Sequence, residues 1–336
     1  MTKQQIIANV EPQSDLVESD DITINTNFNG DTGNVNQYTY AYENNGVNTN
    51  TIGNMFGNLI GNVFDFATQG NAFRWSSLSD MFARVLDYNY ARGDVLGLDK
   101  PVTGVSRSGD KLNLSSADGS TLEVETEDDV DENIAVDLGD GKVTNVKVGE
   151  SNSANTFTYE AATNTVIGSE TQSDTLQVGV EQSTDVVVDF NAQTQNVENF
   201  DASESAANVT AIGTNFANNV FSASAGNSKF WGGFGGNDIF VGNSSASSAM
   251  EIFFERNSGA DTVVNSGAND VVNLLDTTLS EISFAGQTSA GFVLRYANGA
   301  SLTLDGDGDR TFKLQQEGLV AHYEAASRSF TMTSAG

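Results

Sequence analysis

Short runs of alternating apolar and polar residues recur through the C-terminal half of the chain. From residue 157 onward they come at intervals of about ten residues, as in SDTLQVG, TDVVVDF, NVTAIG and NDVVNLLD. Alternation places every second side chain on the same face of a strand. Repetition of one strand at a fixed interval is typical of a solenoid, in which each turn buries its apolar face against the next. We therefore predict a mainly β protein with a parallel β-roll, or β-solenoid, over residues 157–305.

Two longer alternating segments that precede the roll predict antiparallel hairpins. KLNLSSADGSTLEVE (111–125) places Asp118 and Gly119 between two alternating runs, and IAVDLGDGKVTNVKV (134–148) has a glycine-rich tip. Asp-Gly pairs and glycines supply the positive φ that tight hairpin turns need. Residues 101–156 are therefore predicted to be a β-hairpin region.

Apolar residues between positions 51 and 100 follow a different spacing, which predicts a short helical section. In IGNMFGNLIGNVFDFA (52–67) they recur three and four residues apart, and SSLSDMFARVLDYNYARGD (76–94) repeats this spacing after a serine-rich start. Such periodicity is typical of an amphipathic helix. The first helix also has a stripe of residues along which another backbone can approach closely: Gly53, Gly57 and Gly61. It is expected to dock on its own domain or on a partner chain.

The N-terminal segment, residues 1–50, is polar and rich in asparagine. It contains two alternating runs, DITINTNF (21–28) and YTYAY (38–42). We expect either strands with one buried face or an arm that orders only against a partner chain.

An excess of acidic residues excludes several partners. The chain has 336 residues, with 45 Asp and Glu against 15 Lys and Arg, so its formal net charge is −30. Nucleic acids and anionic membranes bind basic surfaces, so neither is expected as a partner. No stretch approaches the roughly 18 apolar residues of a transmembrane segment. The apolar run IIANV near the N-terminus is too short for a cleaved secretory signal.

The residue types available for metal binding favour calcium. The chain has no cysteine and a single histidine, His322, which excludes thiolate sites and zinc sites built on several imidazoles. The remaining ligands are oxygens of Asp, Asn and the backbone, which calcium prefers. Calcium is therefore the expected cofactor.

The most distinctive motif is WGGFGGNDIFVG, residues 231–242. Glycine permits positive φ and close approach of backbones, and Asp supplies charge. The motif resembles that of the RTX family, the repeats-in-toxin proteins, whose repeat is G-G-x-G-x-D-x-U-x. Residues 233–241 match this repeat with Phe234 in place of the second glycine. The resemblance extends from about residue 160 to the end, and it implies ions between turns, held by Asp side chains and glycine carbonyls.

Two sets of residues are candidate calcium ligands. The resemblance implies a first set in neighbouring turns: Gly236, Asp238, Gly259, Asp261 and Asp270. A second set in DGDGDR has the 1, 3, 5 spacing of an EF-hand loop: Asp305, Asp307 and Asp309. Arg310 stands where that loop needs Gly and Gln316 where it needs Glu, which favours a hairpin with strands 301–304 and 311–314. The alternative for most turns is closure by Asn, Ser and Thr side chains without metal.

The family resemblance also implies a route out of the cell. RTX proteins are generally exported by type I secretion, which reads an uncleaved C-terminal segment. We assign residues 306–336 to a C-terminal cap that carries this signal, and its final stretch SFTMTSAG has no charged side chain. An extracellular location, at the cell surface or in a matrix, is therefore expected.

The expected function is structural rather than enzymatic, since the chain contains neither HExxH nor GxSxG. A solenoid end and an alternating arm can pair edge to edge, so we predict a protein that assembles with itself into a filament, matrix or surface layer. The alternative is a monomeric adhesin or carbohydrate-binding module that recognises surface polysaccharide. Its candidate residues are aromatic: Phe230, Trp231 and Phe234.

Overall fold

The computed structural model divides the chain into two compact units, Met1–Val148 and Gly149–Gly336. The residues it describes are 43–44, 47–50, 62–65, 71–75, 82–88, 95–98, 102–126, 133–137, 143–161, 163–245 and 248–335. None of the helices within these residues has the length and apolar character needed to cross a membrane. The predicted strands at 21–28 and 38–42 lie outside the described residues.

The N-terminal unit is built of short strands. In chain order they are β1 (Glu43–Asn44), β2 (Val47–Asn50), β3 (Asn62–Asp65), β4 (Asn71–Trp75), β5 (Phe82–Tyr88), β6 (Val95–Leu98), β7 (Val102–Ser108), β8 (Lys111–Ser116), β9 (Thr121–Thr126), β10 (Asn133–Asp137) and β11 (Val143–Val148). Strands β2, β4, β6 and β10 pair in parallel in one sheet, and β3, β5 and β9 pair in parallel in a second. Because β2 to β6 alternate between the two sheets, this unit also winds as a roll.

The helices predicted over 52–67 and 76–94 are wrong where the structure describes these residues. Asn62–Asp65 and Phe82–Tyr88 are strands that pair in parallel. Each glycine of the predicted stripe costs a helix about 1 kcal/mol relative to alanine, whereas Val and Phe favour strands. Pairing with neighbouring turns therefore overrides an apolar spacing that also fits a helix. The rest of both predicted helices lies outside the described residues.

The C-terminal unit contains nineteen strands among its described residues. In chain order they are β12 (Thr156–Thr158), β13 (Thr163–Ile167), β14 (Thr175–Gln177), β15 (Val186–Asp189), β16 (Thr194–Gln195), β17 (Asn199–Asp201), β18 (Val209–Ile212), β19 (Val220–Ser222), β20 (Asn227–Trp231), β21 (Ile239–Val241), β22 (Ala249–Phe254), β23 (Ala260–Val264), β24 (Val271–Leu274), β25 (Ile282–Thr288), β26 (Gly291–Tyr296), β27 (Ser301–Leu304), β28 (Arg310–Leu314), β29 (Leu319–Glu324) and β30 (Ser329–Ser334). A short helix, α1 (Phe190–Gln193), and two 3₁₀ helices, Leu279–Glu281 and Gln315–Glu317, connect some of them.

Two parallel sheets form this second roll. The front sheet contains, in order, β12, β14, β17, β19, β21, β23 and β27, and the back sheet contains β15, β18, β20, β22, β24 and β28. Most turns of the chain contribute one strand to each sheet, and the roll has about six turns. Beside them β13 pairs in parallel with β16. The β-solenoid predicted from the alternating pattern is confirmed.

The core between the two sheets is a ladder of apolar side chains. In the front sheet one buried position is held in consecutive turns by Phe157, Leu176, Phe200, Phe221, Phe240, Val263 and Leu304. The rings of Phe221 and Phe240 stack with centroids 5.5 Å apart. Each such side chain contributes about 1.5–3 kcal/mol through burial. The ladder also fixes the register, because a shift of one residue would turn every apolar side chain outward.

Each unit ends in the same closing module of antiparallel strands. The β7–β8 hairpin joins β9 in the first unit, and the β25–β26 hairpin joins β27 in the second. Every residue pair of β7–β8 recurs in β25–β26 at positions 180 higher, so that Val102↔Ser116 corresponds to Ile282↔Tyr296. The bulge in the hairpin falls at the same place in both. The closing module is therefore a duplicated element, visible in the sequence as ADGSTLEVE and ANGASLTLD.

The predicted hairpins have different outcomes. Residues 111–125 form β8 and β9, and residues 134–148 form β10 and β11, both antiparallel pairs, so these two predictions are confirmed. The hairpin predicted over 301–314 is wrong. Strand β27 belongs to the front sheet and β28 to the back sheet, so DGDGDR crosses between sheets. The preceding strand β26 supplies the antiparallel partner of β27 instead.

Candidate functional site

A column of polar side chains runs along one end of the front-sheet strands. Its members hold equivalent positions in consecutive turns: Asn155, Asp174, Glu198, Asn219, Asp238 and Asp261. The recurring contact is a hydrogen bond from the backbone N–H of one member to the side chain of the member in the next turn. The Asp174 N–H donates to Glu198 at 2.9 Å, and the Asp238 N–H donates to Asp261 at 2.9 Å. The side chains of the polar column thus accept hydrogen bonds from backbone N–H groups that lie just before the front-sheet strands.

Asp238 and Asp261, two of the predicted ligands, adjoin each other in this column. Their side chains are fully buried, with exposed fractions of 0% and 2%. Asp238 Oδ1 accepts the Asn219 N–H at 2.8 Å, but Oδ2 has no hydrogen-bond partner among the described residues. Burial raises the pKa of Asp238 to about 7 and the pKa of Asp261 to about 8, the latter with help from the negative charge of Asp238. A buried carboxylate oxygen without a donor is costly unless a cation or a proton neutralises it.

Glycines bring neighbouring turns up to these carboxylates. Three glycines of the 232–236 turn have a positive φ. A Cβ atom at Gly232 would lie 1.9 Å from Asp238 Oδ2, and one at Gly259 would lie 1.8 Å from the Gly236 carbonyl oxygen. The structure therefore brings the predicted residues Gly236 and Gly259 into one neighbourhood with Asp238.

Asp270, another predicted ligand, lies just before β24 on the back sheet. Its Oδ1 accepts the Met250 N–H at 2.9 Å and its Oδ2 accepts the Gly267 N–H at 2.6 Å. Burial raises the pKa of this carboxyl group as well. Because both oxygens hold backbone donors, Asp270 serves as a turn-closing acceptor, and it is not gathered with Asp238.

Arg310 lies among the carboxylates of the DGDGDR segment. Only 5% of its surface is exposed, and its guanidinium donates to the backbone carbonyls of Asp305 and Asp309. Burial lowers its pKa, and the negative charges around it oppose this effect: Asp305, Asp270, Asp309 and Asp307. The side chain of Asp305 accepts two backbone N–H groups, and that of Asp307 accepts the Gln287 amide. Asp305, Asp307 and Asp309 thus each accept hydrogen bonds from different donors, and the positive charge near all three is that of Arg310.

The oxygen donors of the polar column fit a calcium ion best at Asp238. Calcium takes six to eight oxygens from carboxylates and backbone carbonyls. Asp238 Oδ2 is the one carboxylate oxygen of the described residues that is buried without a partner, and the backbone of Gly232 approaches it closely. No group of three or more His, Cys, Asp and Glu side chains in the described ranges is arranged to hold a metal. An ion here would therefore rely on Asp238 and on main-chain oxygens.

The aromatic residues predicted for glycan binding are placed differently from one another. Phe230 is fully buried in the core ladder, whereas Phe234 is 37% exposed and its ring meets Trp231 edge-on at 5.4 Å. Sequence reasoning missed Phe216, which is 82% exposed and has a φ of 65°. The signal lies in the strand register, because Phe216 stands where the next turn has Gly235 once the strands are aligned.

The single histidine has a simple structural contact. His322 lies on β29, and its Nδ1 is 3.2 Å from the Thr311 hydroxyl across the β28–β29 pair. The side chain is exposed.

Comparison with known proteins finds likenesses among solved structures. No protein-family model matches the chain, and no curated protein matches it. Among solved structures, the chain is similar to the extracellular lipase LipA from Serratia marcescens, with 13% identity and a TM-score of 0.20. The match covers 73% of this chain and 36% of the lipase chain. The protein thus spans about a third of that chain's length, and a likeness at this TM-score carries no argument about activity.

Proposed function

We propose that this protein is an extracellular structural protein that assembles with copies of itself, and that calcium promotes the folding of its C-terminal roll. The observation that carries the proposal is the last turn of that roll. The front sheet ends at β25 and the back sheet ends at β30. No further strand of the described chain covers either edge, so both offer unpaired backbone groups to another strand.

An apolar groove of about 300 Å³ lies between these two edges. Nine large apolar side chains are exposed among the described residues, and four of them line this groove: Leu279, Phe284, Phe330 and Met332. Within the roll, the equivalent space is filled by the inward side chains of the next turn. The groove therefore offers a further turn, supplied by another molecule, both apolar contact and strand pairing.

The two edges also lack the charges that usually prevent edge-to-edge association. Neither β25 (ISFAGQT) nor β30 (SFTMTS) contains a charged residue. The corresponding edge strand of the first closing module, β7, carries Arg107 at the position that Gln287 holds in β25. Natural edge strands are commonly protected by charges, proline or bulges. In a chain of net charge −30, an acid-free surface is where two copies can approach without repulsion.

The occupant we propose is the N-terminal segment of a second copy. Residues 22–30, ITINTNFNG, alternate apolar and polar side chains and contain no charge. They lie outside the described residues and precede the first described strand at Glu43–Asn44. Docking of one copy's N-terminal segment on another copy's last turn is a head-to-tail contact, which repeats without closing and builds a filament.

Sedimentation velocity on the full-length chain tests self-assembly. We expect a slow species in EDTA and very large species after addition of millimolar calcium. Met332→Lys places a charge on the groove face of β30 and should abolish the large species. Met332→Leu, which keeps the groove apolar and the edge strand uncharged, is the matched control and should assemble. A monomer under all conditions, or equal assembly of both variants, would contradict the proposal.

A further inference from the structure

One exposed aromatic residue, Phe216, occupies a turn position at which the next turn has glycine. The turns 213–219 and 232–238 are equivalent, and Phe216 takes the position of Gly235, whose φ is 73°. Phe216 itself has a φ of 65°, a conformation that costs a bulky L-residue stability. Its ring gains little in return, because 82% of the residue is exposed. A strained position whose side chain is left so exposed is typical of a functional site.

Phe216 begins a surface on which two open troughs meet at Phe234. The first trough, of about 630 Å³, lies between Phe216 and Phe234 and has a floor of small residues that includes Gly259 and Ala260. The second, of about 500 Å³, lies on the Trp231 side of Phe234. We name these troughs and their three aromatic side chains the aromatic face. It lies along consecutive turns, since the Phe216 N–H donates to the Phe234 carbonyl at 2.7 Å.

Polar groups at the edges of both troughs are free to bind a ligand. The side chains of Asn257 in the first trough and Gln316 in the second are exposed and hydrogen-bond to no other described residue. Glu255 and Asp276 also line the second trough. Burial, together with the charge of Asp276, raises the pKa of Glu255. The second trough thus combines an indole, a phenyl ring, two carboxyl groups and the amides of Gln315 and Gln316.

We infer that the aromatic face binds a neutral glycan. The C–H faces of sugar rings stack on exposed aromatic rings, while their hydroxyl groups bond to amides and carboxylates. An anionic ligand would meet Glu255, Asp276 and the net charge of −30. Arg256, the base that lines the first trough, is already ion-paired with Glu281 at 2.9 Å. A stable protein partner needs about 800 Å² of well-packed surface on each side, whereas these troughs are open and partly floored by glycine and alanine. The inference concerns a different surface from the assembly groove and does not depend on self-association.

Affinity gel electrophoresis of the full-length chain tests this inference. The probes are three soluble neutral polysaccharides, dextran, laminarin and hydroxyethyl cellulose, with anionic alginate for comparison. We expect at least one neutral probe to retard the protein and alginate to leave its mobility unchanged. Phe216→Gly should weaken that retardation at least tenfold and at the same time raise the melting temperature, because glycine relieves the strained φ. Val187→Ala, at an exposed residue of the back sheet, is the matched control and should alter neither property.

The two readouts of Phe216→Gly separate a binding role from a structural role. Weaker binding by a more stable protein supports the inference, since loss of structure would lower both. Failure of all three neutral probes, retardation by alginate alone, or unchanged retardation of Phe216→Gly would overturn it. Sedimentation velocity of this variant distinguishes the remaining alternative. If the wild type binds none of the neutral glycans and Phe216→Gly abolishes the large species, the aromatic face is a protein contact and the inference is wrong.

Discussion

Asp174 and Asp238 hold the same position in two turns of the polar column but differ in how their oxygens are satisfied. Asp174 accepts the backbone N–H groups of Asn155 and Ser169, one on each oxygen. Asp238 has a donor on Oδ1 alone. The pair therefore offers a direct comparison between a structural carboxylate and a candidate ligand.

We expect Asp238→Asn to raise the stability of the metal-free protein and to remove its stabilisation by calcium. The amide keeps an acceptor for the Asn219 N–H and eliminates a buried charge. Asp174→Asn should instead destabilise the protein by about 1–3 kcal/mol with or without calcium, because one N–H donor then faces an amide NH₂. Thermal unfolding in EDTA and in calcium measures both. Equal calcium stabilisation of wild type and Asp238→Asn would exclude Asp238 as a ligand.

The buried pair Asp238 and Asp261 should make the metal-free protein more stable in mild acid. The carboxyl pKa is near 3.9 in an unfolded chain, whereas burial raises it to about 7 and about 8 in these two residues. Between about pH 4 and pH 8 the folded state therefore holds more protons, so stability falls as the pH rises through this window. We expect a higher melting temperature in EDTA at about pH 6 than at about pH 8.5.

The double variant Asp238→Asn/Asp261→Asn is the control for this pH dependence. Its melting temperature should change less over the same pH range, because neither position titrates. In wild type, calcium should stabilise more at the higher pH, since the ion competes with protons for the carboxylates. A melting temperature that is flat with pH in EDTA would contradict the assignment.

At the scale of single elements, the turns of the roll differ in how closely they approach the next turn. Gly259 and Gly299 both have a positive φ, 93° and 101°. A Cβ on Gly259 would lie 1.8 Å from the Gly236 carbonyl oxygen, whereas a Cβ on Gly299 would meet nothing within 4 Å. Both positions thus require the same left-handed backbone conformation, but only Gly259 lacks room for a side chain.

We expect Gly299→Ala to cost about 1 kcal/mol, the penalty of a left-handed conformation alone. Gly259→Ala should cost much more, because the clash is with backbone that cannot rotate away, and it should separate the β21 turn from the β23 turn. Circular dichroism melts of the two variants measure the difference. Equal melting temperatures would show that the turns are not packed as closely as the structure has them.

The strands of the C-terminal roll were predictable from alternation, but their pairing partners were not. Val186, Val188 and Phe240 mark buried faces in the sequence alone. The apolar spacing of residues 52–67 led to a wrong helix prediction, because its described part, Asn62–Asp65, is a strand that pairs with β5. The sequence did not reveal that DGDGDR crosses between sheets, because β27 could pair antiparallel with either β26 or β28. In the structure β26, the second strand of the β25–β26 hairpin, takes that place.

The candidate site was predictable where a motif carried it. The glycine-rich repeat pointed to Asp238 and Asp261, which the structure places together, because tight turns and buried acids leave a local signature. The partners of Asp305 could not be predicted, since Asn265 and Ser266 are distant in sequence. Phe216 was overlooked because nothing marks its turn as equivalent to 232–238 until the strands are aligned.

At the scale of the whole molecule, the duplicated closing module indicates that the two units are two rolls of one kind. Each has alternating parallel strands followed by an antiparallel hairpin and a final antiparallel pair. The C-terminal unit has its own continuous core, which extends from Phe157 to Tyr323. A unit with its own core can in principle fold alone.

We expect residues 149–336, produced alone, to fold into a β-rich protein that melts cooperatively. The reason is that the apolar ladder of this unit is made by its own strands. Far-ultraviolet circular dichroism and a thermal melt measure the outcome, and the same fragment with Phe221→Ala is the control, which should melt at a much lower temperature. A fragment without a cooperative transition would show that the second roll depends on the first.

The closing modules give each roll a direction of folding. In the parallel part Phe157 aligns with Leu176 and Leu176 with Phe200, so each pairing must close a loop of 19 or 24 residues. In the β25–β26 hairpin, Thr288 and Gly291 pair across a two-residue turn. Short loops close first because they lose less chain entropy. Each roll should therefore wind backward from its C-terminal end, so that in a chain emerging N-terminus first each roll stays unwound until its own closing module is free.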